Sequence, residues 1–98
     1  MRQDIRIAAV VCQCPVGRVV ENMEQTRYWA MQAKTCRADV VCFPEMNLTG
    51  YSNREAIAEA ALSDEGPEME SVTQLAVATQ MTLLVGFAEK TNDGHLYA

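Results

Sequence analysis

The run Phe43-Pro44-Glu45-Met46-Asn47-Leu48-Thr49-Gly50-Tyr51 sets a single carboxylate directly after a short apolar segment that ends in proline. Proline has no amide hydrogen to offer a neighbouring strand, so the ladder formed by Val40 to Phe43 is expected to stop there. Glu45 then falls just past the carboxyl edge of a sheet, where open α/β sheets bind their ligands. Phe43, Met46 and Leu48 are expected to make its surroundings partly apolar, which suits a carboxyl group to proton transfer. Thr49-Gly50-Tyr51 reads as a tight turn that carries the Tyr51 phenol to the same mouth, as a wall of a substrate pocket. By spacing alone, these residues also fit a solvated glutamate in an ordinary strand-to-helix loop.

The elements that must hold Glu45 follow from apolar periodicity. Ile5 to Cys12 is a nearly continuous apolar run, the pattern of a strand covered on both faces. Gln13 to Gly17, with Pro15 and Gly17, reads as a loop. From Arg18 to about Arg37 the spacing becomes helical, with Met23, Thr26, Ala30 and Ala33 on one face. Tyr28 and Trp29 lie off that stripe and are expected to cover a neighbouring segment or a subunit contact. After the Glu45 turn, Ser52-Asn53-Arg54-Glu55 resembles a capping box opening a helix through Leu62. Pro67 opens another, whose apolar face is Met69, Val72, Leu75, Ala76 and Thr79. Thr82 to Glu89 is expected as one further strand, and Asn92-Asp93-Gly94 as the turn of a hairpin that returns through His95-Leu96-Tyr97-Ala98. Strands alternating with helices predict an α/β fold with a mostly parallel sheet.

Composition narrows the function classes. The 98 residues are 49% hydrophobic and 21% charged with a net charge of −5, the profile of a globular rather than a disordered chain. The eight basic residues are scattered singly, which excludes a basic stripe for nucleic acid. The apolar run Ile7 to Cys12 is too short to span a bilayer and lacks a signal-peptide cleavage pattern, so a cytoplasmic location away from membranes is expected. The four cysteines, Cys12, Cys14, Cys36 and Cys42, contain no Cys-x-x-Cys pair. A zinc site is not expected from that spacing, nor a disulfide framework in a chain without a secretory signal. Cys12 and Cys42 read as small buried hydrophobes on adjacent strands, with Cys42 entering the core. His95 reads as exposed, without an acidic neighbour.

Set beside these residues, the chain resembles the nitrilase superfamily of carbon–nitrogen hydrolases. Phe43-Pro44-Glu45 through Thr49-Gly50-Tyr51 is similar to that family's glutamate motif. Ile5 to Val11, Asn22 and Ala38-Asp39-Val40-Val41 resemble its first segment, while Val85 to Glu89 with Leu96-Tyr97 resemble its next strand pair. Ala98 departs from the pattern, standing where many members carry asparagine.

The resemblance implies a nitrilase-like α-β-β-α sandwich, of which residues 1–98 would supply the first strands and helices as the amino-terminal part of a single domain. It implies a Glu–Lys–Cys mechanism with Glu45 as general base, and with the lysine and cysteine lying beyond residue 98. Neither Lys34 nor Lys90 matches the family lysine, and Cys12 is the least implausible nucleophile within the chain. The substrate class implied is a small-molecule amide, carbamoyl compound or nitrile, with a linear amide or N-carbamoyl compound favoured. No metal or organic cofactor is implied, and the complete protein is expected to be a homo-oligomer. An early stop, leaving an enzyme shortened in its gene or record and inactive by itself, is expected from the apolar final strand. A non-catalytic binding or assembly module of the same fold is the alternative. An unrelated doubly wound binding domain fits poorly, because Cys12 to Gly17 offers one glycine and a proline where a glycine-rich phosphate loop belongs.

Overall fold

In the computed structural model, which describes residues 4–50, 52, 54–91, 93 and 95–97, five strands and three helices follow one another along the chain. Strands β1 (Ile7–Ala9), β2 (Val40–Cys42) and β3 (Thr82–Leu84) form a parallel sheet in the order β1-β2-β3. The register pairs Ile7 with Val40 and Ala9 with Cys42, then Val40 with Thr82 and Cys42 with Leu84. The α/β class expected from the alternation is therefore observed, with the strand before Glu45 at the centre.

Helix α1 (Val19–Thr35) carries the chain from β1 to β2. Helices α2 (Arg54–Ala60) and α3 (Pro67–Thr79) carry it from β2 to β3. Pro67 occupies the first turn of α3, where its missing N–H leaves no helical bond unmade. The helix closes on Gln80 in the left-handed conformation, and the Lys34 ammonium caps its end by donating to the Thr79 carbonyl at 3.1 Å. Lys34 is thus a helix-capping residue.

One face of the sheet is a dry core. Ala30 and Ala33 of α1, Leu75 of α3, and Val41 pack with Ala38 and Met81, with Ala8, Val10, Phe43 and Leu83 against them. Val41 is fully buried, which contributes about 2 kcal/mol relative to exposure. Strand alternation turns Ile7, Ala9, Val40, Cys42, Thr82 and Leu84 to the other face. Among the described residues that face carries no helix: Ile7 is 63% exposed and Leu84 52% exposed. Cys42 therefore does not enter the helix-side core, contrary to the expectation from sequence. Phe43 takes that place, and Cys42 lies half-buried on the opposite, open face.

The expected strand Thr82 to Glu89 is two elements. After Leu84 the backbone leaves the parallel ladder, and β4 (Glu89–Lys90) pairs antiparallel with β5 (Leu96–Tyr97) as a separate hairpin. Its turn residues Asn92 and Gly94 lie outside the described residues, as does Asn53 of the expected capping box and Ala98 of the returning strand. Helix α2 ends at Ala60, before the expected Leu62. Leu62 instead bridges to Glu89, accepting from the Lys90 amide and donating to the Ala88 carbonyl, both at 2.8 Å. Within the hairpin, His95 is exposed but has the acidic neighbour that the sequence reading overlooked: its Nδ1 lies 2.9 Å from Asp93 Oδ2. A hydrogen bond from the Thr91 hydroxyl, then one from the His95 amide, holds the Asp93 carboxyl below its ordinary range. This is a surface tie between Asp93 and His95.

Candidate active site

The parallel strands all point the same way, so three connections gather beyond their carboxyl ends. They are the loop Val11 to Gly17 after β1, the turn 45–49 after β2, and the segment 85–88 after β3. The last inter-strand bonds, Val10 N–H to Cys42 O at 2.9 Å and Phe43 N–H to Leu84 O at 3.0 Å, mark the sheet edge. Pro44 ends the ladder, and Glu45 is the next residue.

The turn that carries Glu45 is held from beneath by buried polar side chains. Asn47 and Thr49 are buried, as are Asn22 and Thr26 on the facing side of α1. Asn47 Nδ2 donates to Thr26 Oγ1 at 3.0 Å, and Thr26 Oγ1 donates to the Asn22 carbonyl at 2.8 Å. Asn22 Nδ2 reaches both the Pro15 carbonyl at 2.9 Å and the Leu48 carbonyl at 3.1 Å. Because both of its amide hydrogens find carbonyls, the orientation of Asn22 is settled. The connection after β3 closes the other side. The Gly86 amide donates to Asn47 Oδ1 and the Ala88 amide to Thr49 Oγ1, each at 3.0 Å, while the Leu48 amide donates to the Gly86 carbonyl at 3.0 Å. These bonds explain why the expected strand breaks at Val85: its backbone bonds to side chains and backbone of the Glu45 turn, not to the parallel ladder.

Two backbone features complete the turn. Met46 stands at φ 52°, a left-handed conformation that costs a residue with a Cβ about 1–2 kcal/mol. Such strain persists where the surroundings overdetermine it, and here Met46 is also buried. Gly50, at φ +85°, ends the turn with its amide donating to the Met46 carbonyl at 2.7 Å.

Glu45 itself is exposed, and among the described residues none hydrogen-bonds its carboxylate. The apolar surroundings expected from its neighbours are not formed by them, because Met46 and Leu48 turn inward and only Phe43 stays half-buried. Tyr51, expected as a pocket wall, lies outside the described residues. Cys12 and Cys42, expected to be buried, are both only partly so, and Cys12 belongs to the loop after β1 rather than to the strand. A groove of about 870 Å³ lies elsewhere, between α1, α2 and α3, and is lined by Val20, Met23, Ala60 and Pro67 among others. Its lining also carries Glu24, Glu59, Glu68 and Ser71, all on helices and none at a strand tip, which makes it a weaker site candidate than the strand-end acid.

Sequence reasoning reached Glu45 but missed its support. In the sequence, Asn22 stands out only by its resemblance to the family, Thr26 only as part of an apolar stripe, and Asn47 as an ordinary turn residue. The available signal was two hydrogen-bonding residues four apart on the buried face of α1. Removing the central member tests the arrangement. Asn47→Ala leaves the Gly86 amide without its acceptor and is expected to cost about 1–3 kcal/mol, read as a lowered denaturation midpoint at unchanged helical content. An unchanged midpoint would show that the turn holds its shape without this network.

Comparison with known proteins agrees with this architecture. The family model described as carbon–nitrogen hydrolase matches residues 6–98. A protein of Pseudomonas protegens described as a hydrolase in the pqqF 5′ region is 31% identical over 94 residues, covering 95% of this chain and 32% of that protein. The protein N-terminal amidase of Saccharomyces cerevisiae is 24% identical, covering 95% of this chain and 22% of that protein. In fold, the chain resembles the glutamine-dependent NAD+ synthetase of Acinetobacter baumannii, solved with ADP, at a TM-score of 0.67 and 24% identity, over 95% of this chain and 17% of that one. The chain therefore spans a third or less of the length of these curated relatives.

Proposed function

The chain belongs to the carbon–nitrogen hydrolase family, and on that premise we propose that it forms the amino-terminal part of one hydrolase domain in which Glu45 is the general base. The observation that carries this reading is a lone acid just past the tip of the central parallel strand, on a turn bonded to α1 from below and to segment 85–88 from the side. A catalytic base must be held in place more than it must be buried in one half of its site.

In the proposed reaction, Glu45 takes the proton of a cysteine thiol supplied by further sequence, and the thiolate attacks the carbonyl carbon of the substrate. A lysine ammonium, likewise supplied, stabilises the oxyanion. Glu45 returns the proton to the departing nitrogen as the carbon–nitrogen bond breaks, leaving a thioester on the cysteine. Water, deprotonated by Glu45, then releases the acid and restores the thiol. The sheet face bearing Ile7, Cys42 and Leu84 is the surface on which a second sheet would pack, since exposed apolar sheet of this kind requires cover.

We favour a linear amide or an N-carbamoyl compound as substrate, and a homo-oligomeric assembly of the complete protein. The test is ammonia release by the full-length protein from linear amides, N-carbamoyl compounds and nitriles. Turnover of the first two classes is expected. Turnover of nitriles alone would overturn the substrate assignment. No release from any class would favour the second reading, a non-catalytic assembly module of the same fold. One observation speaks for that module: Tyr28 and Trp29 stack edge to face at 5.0 Å on the outside of α1, with Tyr28 55% exposed.

A further inference from the structure

The loop after β1 holds two thiols in contact. Cys12 Sγ and Cys14 Sγ are 3.7 Å apart, and the Cys14 thiol folds back toward the Cys12 carbonyl, also at 3.7 Å. Both side chains are free and partly exposed, so a small reagent can reach them. The chain is held before, between and after the two cysteines. Val10 is bonded to Cys42, the Gln13 carbonyl accepts from Gln25 Nε2 at 2.9 Å, and the Pro15 carbonyl accepts from Asn22. The backbone of the pair is neither helix nor strand, so no helical or ladder hydrogen bond has to break for the sulfurs to draw to bonding distance. Among the described residues no group of three or more His, Cys, Asp or Glu side chains could hold a metal ion, so a closed metal centre, which needs about four ligands, is not formed around the pair.

We propose that Cys12 and Cys14 are an oxidisable dithiol that closes to a disulfide within this loop by exchange with a small-molecule disulfide. The Cys12 thiolate attacks one sulfur of the reagent, the reagent's S–S bond breaks, and one small thiol leaves. Cys14 then gives up its proton and attacks Cys12 Sγ in the mixed disulfide, expelling the second small thiol. Two protein thiols are oxidised and one reagent disulfide is reduced to two thiols. The division of roles follows from the surroundings of the sulfurs. Burial, and then the hydrogen bond and charge of Cys12, push the Cys14 thiol up to about 11. Cys14 therefore favours its protonated form and acts second, attacking Cys12 Sγ only after the mixed disulfide has formed and the contribution from Cys12 is gone. This inference stands apart from the Glu45 reading, because it requires only these two sulfurs and their loop.

The test is exposure of the folded full-length protein to excess glutathione disulfide, followed by alkylation and mass spectrometry of the peptides from this segment. Of the four cysteines here, Cys12 and Cys14 are expected to lose alkylation together, with no glutathione retained and full recovery in dithiothreitol. The Cys14→Ser variant, which lacks the resolving sulfur, is expected to hold one glutathione on Cys12. A stable glutathione adduct on the unsubstituted pair would overturn the proposal. So would modification confined to Cys36 and Cys42.

Discussion

Glu45→Gln in the full-length protein is expected to lower the rate of ammonia release by about 10²–10⁴-fold, the contribution typical of a positioned acid–base group, while the fold is retained. Gln keeps the size of the side chain and its polarity, and Glu45 is exposed with no hydrogen bond to it among the described residues. Its removal therefore leaves no buried group without a partner, and stability should change by no more than about 0.5 kcal/mol. The separation of the two effects is what makes the variant informative. If Glu45 carries the proton in both half-reactions, KM should change far less than kcat, because the lost interaction belongs to the transition state. Glu45→Asp should recover little, since a carboxylate drawn back by one methylene no longer reaches the same atoms. Near-normal turnover by the Gln variant would remove Glu45 from the mechanism. A large drop in denaturation midpoint would instead assign it a structural role.

The frame that sets Glu45 in position was legible for a simple reason. The apolar runs around Val10, Val41 and Leu83 lack alternation, and the helical spacing of Ala30, Ala33, Val72 and Leu75 is regular, so each element announces its own period. The ladder's end at Pro44 follows from one missing amide hydrogen. What was not legible depends on contacts between distant segments. Asn47 and Thr49 look like turn residues, and nothing local says that they are buried and accept the amides of Gly86 and Ala88, 39 residues away. The same contacts divide the expected strand Thr82 to Glu89, because those amides no longer serve a sheet. Cys42 reads from the sequence as a core residue because small apolar side chains usually go there. The structure gives that place to Phe43, whose larger side chain fills the space between sheet and helices. The apolar neighbours of Glu45 misled in a similar way. Met46 enters the left-handed region and Leu48 is fully buried, so both serve the core and leave the acid outside.

Gly50→Ala should be among the most damaging single methyl additions in the chain, and three glycines show why. A Cβ on Gly50 would lie 2.4 Å from Val16 Cα, 2.5 Å from Val16 N and 2.7 Å from Cys14 O, all backbone atoms that cannot swing aside. It would also have to adopt φ +85°, at about 1–2 kcal/mol. Overpacking adds about 1–3 kcal/mol, so the total approaches 2–5 kcal/mol, a large share of the roughly 5–15 kcal/mol that holds a typical domain together. Gly17 has φ +78° but nothing within 4 Å of its Cβ position, so Gly17→Ala reports the conformational cost alone. For Gly86 the obstacle is instead close approach, with Met46 N at 2.5 Å and Met46 Cα at 3.1 Å. Chemical denaturation of the three variants should rank them Gly50→Ala as the most destabilised, then Gly86→Ala, then Gly17→Ala. Because the Gly86 and Gly50 contacts clamp the two ends of the Glu45 turn, those variants should also lose ammonia release at temperatures where they remain folded, whereas Gly17→Ala should keep it. Equal damage from all three would mean that backbone conformation, and not the close fit around the turn, is what these glycines provide.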